Sequence, residues 1–170
     1  MISSARREQV LTRETFYGRT KPNSHADTIV AGHNFVPIRH TERSCNVAPF
    51  SYTYEPMKDI AIVSEDTGLT STTGIHYILV FHGCFYMTKL YHTLINTNQL
   101  CHFQTQVQDS SYATYPMSII SPYGNFIACL ESEVTNIFIN IWSPTQKDLA
   151  LLPHIELTSQ HCMVPMVVAK

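Results

Sequence analysis

Short apolar segments separated by turn residues dominate the chain from Asn34 onward. Runs of about four to eight strand-forming residues, bounded by Gly, Pro, Asn, Asp or Ser, are typical of β-strands. The polar stretch 64–74, which contains Gly68 and Gly74, predicts the tip of a long β-hairpin. Many short strands with regular turn signals predict an antiparallel barrel or sandwich. The segments with this pattern are 34–38, 49–54, 58–63, 75–81, 104–108, 118–120, 125–130 and 136–142.

Two segments have the pattern of short helices instead. Residues 90–100 carry spaced apolar side chains, and Thr145 is a suitable N-cap for a helix over 147–152 that Pro153 stops. The first residues mix charges with Ser and Thr and predict an arm. The chain therefore divides into an N-terminal arm (1–20), a β-domain (21–143) and a C-terminal helix and tail (144–170).

The composition supports a single folded domain. The chain has 170 residues, of which 44% are hydrophobic and 14% are charged, and its formal net charge is −2. A disordered chain has low hydrophobicity and high net charge, and a protein that binds nucleic acid electrostatically has a basic surface. The polar start of the chain does not resemble a signal peptide, and no apolar run reaches the length of a membrane helix. We expect an intracellular, cytoplasmic protein that binds neither nucleic acid nor membrane.

Cysteine and histidine give no pattern of a metal or cofactor site. The five cysteines are odd in number and widely spaced, so free thiols in a reducing compartment fit better than disulfides or zinc ligands. His76 and His82 share a face of a predicted strand, but six residues span roughly 20 Å. Cys101 and His102 are neighbours, whose side chains point apart on a strand, which disfavours a Cys–His protease. We expect no metal and no cofactor.

One segment resembles a known active-site turn. Asn23-Ser24-His25-Ala26-Asp27-Thr28 is similar to the turn of retropepsin-like aspartic proteases, in the form Asp-Ser-His-Ala-Asp-Thr found in copia-type LTR retrotransposon polyproteins. Further similar stretches follow in the same order, so that the resemblance covers roughly residues 15–160. Those stretches are 34–35, 45–47, 60–64, 73–80, 92–100 and 144–159.

The resemblance implies a mainly β fold: a closed, mostly antiparallel barrel with a short C-terminal helix. It also implies a homodimer in which each chain supplies one catalytic aspartate and a β-hairpin flap covers the substrate. By position the flap is about 65–77, and a hydrophobic stretch supports the turn, with an asparagine in place of the family's glycine. The residues implied are Thr67, Gly68, Thr73 and Gly74 for the flap and Leu94, Ile95 and Asn96 for the support.

The chain departs from the family at the position that matters for catalysis. Asn23 stands where the catalytic aspartate belongs, and Pro22 stands where the pattern has an aliphatic residue. Aspartic proteases need two carboxylates that share one proton, and an amide cannot act as that base. Asp27 matches a position that binds substrate backbone or pairs with arginine in the family. Its own chemistry favours an Asx-type turn or a cap beside Thr28, so we do not regard it as catalytic.

We therefore expect a catalytically inactive, retrotransposon-derived protein that acts by self-association, as a dimer or larger assembly, or by binding an extended peptide. The apolar tail 163–168 either pairs between chains or is a buried or frayed end. The alternative is an active aspartic endopeptidase in which Asn23 is an engineered or local substitution. Pro22 favours the first interpretation, because silencing an enzyme deliberately requires only one change.

Overall fold

The computed structural model describes residues 17–25, 27–48 and 53–160. Within them the chain is mainly β, with twelve strands and two short helices. The strands are β1 (Tyr17–Pro22), β2 (Val30–Ala31), β3 (Val36–Val47), β4 (Met57–Thr70), β5 (His76–Tyr86), β6 (Leu94–Ile95), β7 (Gln106–Gln108), β8 (Ser118–Ile120), β9 (Ile127–Cys129), β10 (Glu131–Glu133), β11 (Asn136–Trp142) and β12 (His154–Glu156). The helices are α1 (Thr97–His102) and α2 (Gln146–Leu151).

Nine of these strands form one sheet in the order β10-β11-β1-β6-β2-β5-β4-β3, with β12 added beside β5. Most neighbours are antiparallel, but β1–β6, β2–β5 and β12–β5 are parallel. A further antiparallel contact joins β11 to β4, where Trp142 is paired with Gly68. Strands β7, β8 and β9 form a separate antiparallel sheet.

The hairpin of β4 and β5 is the centre of the large sheet. The two strands pair antiparallel from Thr70↔His76 to Ile62↔Phe85, so the predicted hairpin is present. Its tip is shorter than the predicted 64–74, because residues 64–70 continue β4 and pair with β5. Successive side chains on a strand point to opposite faces, and both faces of β5 are covered. Leu79 and Phe81 belong to the main core, while Ile78 and Val80 pack with Trp142. Leu149 of α2 and Leu152 just after it pack against this second cluster.

A close approach between two strands fixes where Trp142 lies. The indole ring covers Gly68 so closely that a Cβ atom at this position would lie 2.4 Å from two ring carbons. Only glycine fits under the ring without a shift of one strand, since real Cβ contacts are never that short. The Oγ1 of Thr67 also donates a hydrogen bond to the Trp142 carbonyl, at 3.3 Å.

Helix α2 confirms the sequence prediction closely. Thr145 is its N-cap, and the Thr145 and Asp148 side chains form a capping box with each other's backbone N–H. These hydrogen bonds to Thr145 hold the pKa of the Asp148 carboxyl below its ordinary value. Helix α1 is shorter than the predicted segment 90–100, because Leu94 and Ile95 form a strand before the helix begins at Thr97.

The sheet extends further at both ends of the chain than the sequence pattern indicates. Residues 17–20, predicted to belong to an arm, form part of β1 and pair with β11 from Tyr17↔Trp142 to Thr20↔Ile139. Strand β3 runs on to Val47, well past the predicted end at residue 38. In the predicted tail, β12 pairs in parallel with β5. Most of the predicted strand 49–54, and the apolar segment 163–168, lie outside the described residues.

Candidate functional site

The turn that resembles the protease active site connects β1 to β2, and a third strand lies between those two. Strand β6 is parallel to β1, with Pro22 opposite Ile95, and antiparallel to β2, with Val30 opposite Leu94. The backbone N–H of Asn23 donates to the Ile95 carbonyl at 2.8 Å. The structure therefore brings Asn23 together with the hydrophobic stretch that the resemblance assigns to its support.

The Asn23 side chain stabilises the turn locally. Its Oδ1 accepts a hydrogen bond from the backbone N–H of His25 at 2.9 Å, the geometry of an Asx turn. The sequence led us to expect a local role of this kind from Asp27, whose side chain is exposed. Ser24 and His25 are exposed as well, and Ala26 lies outside the described residues.

Asn96 has a structural role that a glycine cannot fill. It is buried, and its side chain caps α1 by accepting a hydrogen bond from the Gln99 backbone N–H at 2.6 Å. Its backbone is extended, with φ −74° and ψ 113°, so the position does not need the freedom of glycine. An asparagine in place of the family's glycine is therefore compatible with the local fold.

The Gln99 side chain links the turn, α1 and β5. Its Oε1 accepts from the backbone N–H of Ile29 and from the Thr28 hydroxyl, both at 2.8 Å, and its Nε2 donates to the His82 carbonyl at 3.0 Å. Because one end faces an N–H and the other a carbonyl, only one orientation of the amide satisfies both. One sequence signal points to Gln99, because Asn96-x-x-Gln99 has the spacing of a capping box. It did not predict the long-range partners.

The residues assigned to the flap divide into a buried stem and an exposed tip. Thr67 and Gly68 lie in β4 beneath Trp142 and are buried. Thr73 and Gly74 lie in the exposed tip, where the Gly74 N–H donates to the Ser71 carbonyl at 2.9 Å and Gly74 adopts φ +82°. The hairpin is present, and its covering of a substrate cleft stays a prediction.

A β-bulge places His82 beside Ser64. Val63 pairs with Cys84 and Glu65 pairs with Phe81, so two residues of β5 face Ser64 alone. Gly83 takes φ +70°, which the extra residue of such a bulge requires and which glycine adopts readily. The His82 ring is 4% exposed, and its Nδ1 lies 2.8 Å from the Ser64 hydroxyl oxygen. Its Nε2 has no hydrogen-bond partner.

His82 borders a cleft of about 320 Å³. The cleft opens between β3, β4, the bulge of β5 and α1, and the chain just after β12 closes one side. Burial lowers the pKa of His82, the Glu156 carboxylate acts in the opposite direction, and the Arg39 guanidinium lowers it further. Glu156 Oε1 lies 3.9 Å from His82 Nε2, too far for a hydrogen bond.

Two carboxyl groups of β4 are buried without a complete set of partners. Glu65 is 0% exposed and Asp66 is 2% exposed, and neither oxygen of Glu65 has a hydrogen-bond partner. Glu65 pairs with Phe81 of the main core, whereas Asp66 pairs with Val80 of the cluster around Trp142. The two carboxyls therefore lie on opposite faces and do not form a proton-sharing dyad.

Burial dominates the protonation of both groups. It raises the pKa of Glu65 to about 8, with a smaller contribution from Asp66. It raises the pKa of Asp66 to about 6, against the opposing effect of His154. Burial also raises the pKa of the Cys84 thiol, with the negative charge of Glu65 adding to the effect. Sequence alone does not reveal these groups, because polar residues in a strand pattern predict an exposed position.

The described part of the chain contains no cluster of three His, Cys, Asp or Glu side chains arranged to hold a metal ion. Its four cysteines are free thiols, at positions 45, 84, 101 and 129, and Cys162 lies outside this part. His76 and His82 do not come together: His76 contacts Thr70 and Trp142 near the hairpin tip. Neither of the helices in residues 17–160 has the length and apolar character needed to cross a membrane.

Comparison with known proteins adds no relative: no protein-family model, no curated protein and no solved structure matches the chain. The retropepsin-like interpretation therefore depends on the residues of the turn and on their arrangement.

Replacing Gln99 tests how the turn is held. We expect Gln99→Leu to destabilise the protein by about 2–4 kcal/mol, because the Ile29 N–H loses its partner in a buried site. The free energy of unfolding in urea measures this, and amide hydrogen exchange at Ile29 should become faster. Gln106→Leu, the same substitution at an exposed glutamine of β7, is the matched control and should change stability by less than about 1 kcal/mol. Equal stability of the two variants would contradict the assigned role.

Glu65 should make stability depend on pH. Its pKa is about 8 in the folded chain and 4.5 in the unfolded chain, so the unfolded state binds fewer protons between these values. Stability should therefore fall as pH rises from about 4.5 to about 8, by up to about 1.4 kcal/mol per pH unit. Asp66 contributes in the same direction below about pH 6. His82 has the opposite effect, because its pKa is lowered in the folded chain and the unfolded chain loses that proton near pH 6.5. The interval from pH 7 to pH 8 therefore reports mainly on Glu65.

The test compares urea unfolding of the natural chain and of Glu65→Gln at pH 6, 7 and 8. The variant should be more stable at pH 8 and should lose most of the slope. Glu55→Gln, at an exposed glutamate, should keep the natural slope. If Glu65→Gln retains the slope, the buried carboxyl is not its cause.

Proposed function

We propose that the chain is a catalytically inactive retropepsin-like protein of retrotransposon origin, which acts by self-association or by binding an extended peptide. The observation that carries the proposal is the position of β6 between the two strands that the Asn23 turn connects. The turn and its support were assigned from separate parts of the sequence, more than sixty residues apart. Their contact through Asn23 and Ile95 supports a common origin with the protease site.

The fold supports the same proposal at a coarser level. A retropepsin-like barrel is mainly β and mostly antiparallel, as this chain is. The contact between β11 and β4 at Trp142 and Gly68 connects strands from the two halves of the sheet order, which is compatible with closure. Closure in the retropepsin manner is part of the proposal.

The loss of activity follows from the chemistry of Asn23. An amide neither accepts a proton from water nor shares one with a second carboxylate. Asp27 is exposed, while Glu65 and Asp66 are buried on opposite faces of β4, so none of them replaces the missing pair. Losing general-base catalysis removes about 10²–10⁴ in rate, and a symmetric dimer of this chain would lack both members of the dyad.

Self-association and peptide binding need the scaffold but not the carboxylates. The turn presents Ser24, His25 and Asp27 at the surface, where a second copy can meet the same residues across a two-fold axis. An extended peptide can add to the edge of a sheet through main-chain hydrogen bonds without being cut. The family's contacts through the chain termini fall on residues outside the described part.

The first test is proteolysis. We expect the natural chain to leave an unfolded polypeptide substrate intact between about pH 4 and pH 7, because it has no pair of aspartates that share a proton at the turn. Asn23→Asp should introduce pepstatin-sensitive cleavage, because it restores one carboxylate per chain on the proposed scaffold. Gln106→Glu, which adds a carboxylate at an exposed position of β7 away from the turn, should remain inactive. Pepstatin-sensitive cleavage by the natural chain would show an active endopeptidase and contradict the proposal.

The second test is the mass in solution. We expect light scattering at micromolar concentration to give at least twice the 19.3 kDa of one chain. The mass should fall on dilution, since it depends on association. A monomer at every concentration would contradict self-association and leave peptide binding as the proposed activity.

A further inference from the structure

The cleft beside His82 has features of a binding site that the proposed function does not use. Its volume is about 320 Å³, enough for a small organic molecule. None of the described residues of the Asn23 turn lines it. The cleft and the turn are connected by Gln99, whose amide links the backbone at Ile29 to that at His82, and by the Thr28 hydroxyl, which donates to the Gly83 carbonyl at 2.8 Å.

The charge of the cleft is positive although the whole chain is slightly acidic. Arg39 and Arg43 both line it, and the described lining residues include no carboxylate. Arg39 Nη1 donates to Gln160 Oε1 at 2.9 Å, so this contact leaves its charge without neutralisation. Guanidinium groups present several donors in one plane, which suits the oxygens of phosphate and carboxylate groups.

His82 adds a buried ring nitrogen to this cationic surface. The ring is 4% exposed, its Nδ1 is engaged with Ser64, and its Nε2 has no hydrogen-bond partner. Buried polar atoms in folded proteins normally have a partner, so an unpartnered nitrogen on a residue that lines a cleft indicates a missing one. The nearest carboxylate oxygen, on the exposed Glu156, is 3.9 Å away.

Two apolar side chains lie among the polar residues of the wall. Ile62 of β4 and Phe103 at the end of α1 line the same cleft as the two arginines. Small-molecule sites characteristically combine such apolar surface with a few polar groups that fix orientation.

We propose that this cleft binds a small organic anion, whose phosphate or carboxylate group lies beside Arg39 and His82. The apolar part of the ligand packs on Ile62 and Phe103. The site is independent of the retropepsin-like interpretation, because no residue of the turn contributes a charge to it.

Protonation of His82 and anion binding are coupled in this site. Burial and Arg39 favour the neutral imidazole, and Glu156 is the charge that opposes them. A bound anion adds a second negative charge and raises the pKa of His82. Binding and protonation are linked, so the affinity for the anion increases as the pH falls through the pKa of His82. The increase is at most about tenfold per pH unit, because a single proton is taken up.

The experiment follows the His82 ring signals by NMR in the full chain, with 15N-labelled histidine. Sodium phosphate is the first probe, benzoate is the second because it adds an apolar ring, and sodium chloride at equal ionic strength is the control. We expect a saturable shift of the His82 signals with phosphate or benzoate and none with chloride. Lowering the pH at constant probe concentration should increase the bound fraction.

Exposed arginines provide variants that should fold. Arg39→Gln should weaken binding about tenfold, the effect of losing a charged hydrogen-bond partner. Arg19→Gln removes an exposed arginine that pairs with Glu133, and should leave binding unchanged. A response to phosphate alone or to benzoate alone supports the site and identifies the anionic group. No response to either probe, or equal binding by Arg39→Gln and the natural chain, overturns the proposal.

Discussion

The amide of Gln99 is the interaction on which the arrangement of the turn and the cleft depends. It bonds to the Ile29 N–H and the Thr28 hydroxyl on one side and to the His82 carbonyl on the other. These groups belong to a connection between strands and to the bulge of β5, which are far apart in sequence. All of these groups are buried away from water, and the Gln99 amide supplies the hydrogen bonds that water would make at the surface. It fixes the end of the turn relative to the bulge.

The second constraint is the insertion of β6 between β1 and β2. A two-residue strand contributes little area, and its position depends on backbone hydrogen bonds and on Thr93 just before it. The Thr93 hydroxyl accepts from the Gly32 N–H and donates to Asn34 Oδ1, at 2.9 and 2.8 Å. Buried hydrogen bonds of this kind are expensive to lose, because no water can replace them. They hold Asn23 against Ile95 without any contribution from a carboxylate. The geometry of the turn therefore does not depend on a catalytic aspartate.

Charge is distributed unevenly around this scaffold. Glu65 and Asp66 are buried in β4, where low polarity favours their neutral forms, while Arg39 and Arg43 face an open cleft. The buried acids lower stability as the pH rises, because the unfolded chain ionises first. In the cationic cleft, the proposed anion neutralises positive charge instead.

The sequence by itself determined the strand-rich class, the β4–β5 hairpin, the Thr145 cap of α2 and the identity of Asn23, because these depend on local pattern and on residue chemistry. Local pattern also predicted too little strand at Tyr17–Pro22, where pairing with β11 stabilises an otherwise polar segment. Only the tertiary structure decided the order of the strands, the burial of Glu65 and the cleft at His82. Each of these depends on contacts between residues distant in sequence, and a single chain's pattern of apolar and polar positions does not encode which distant segments meet.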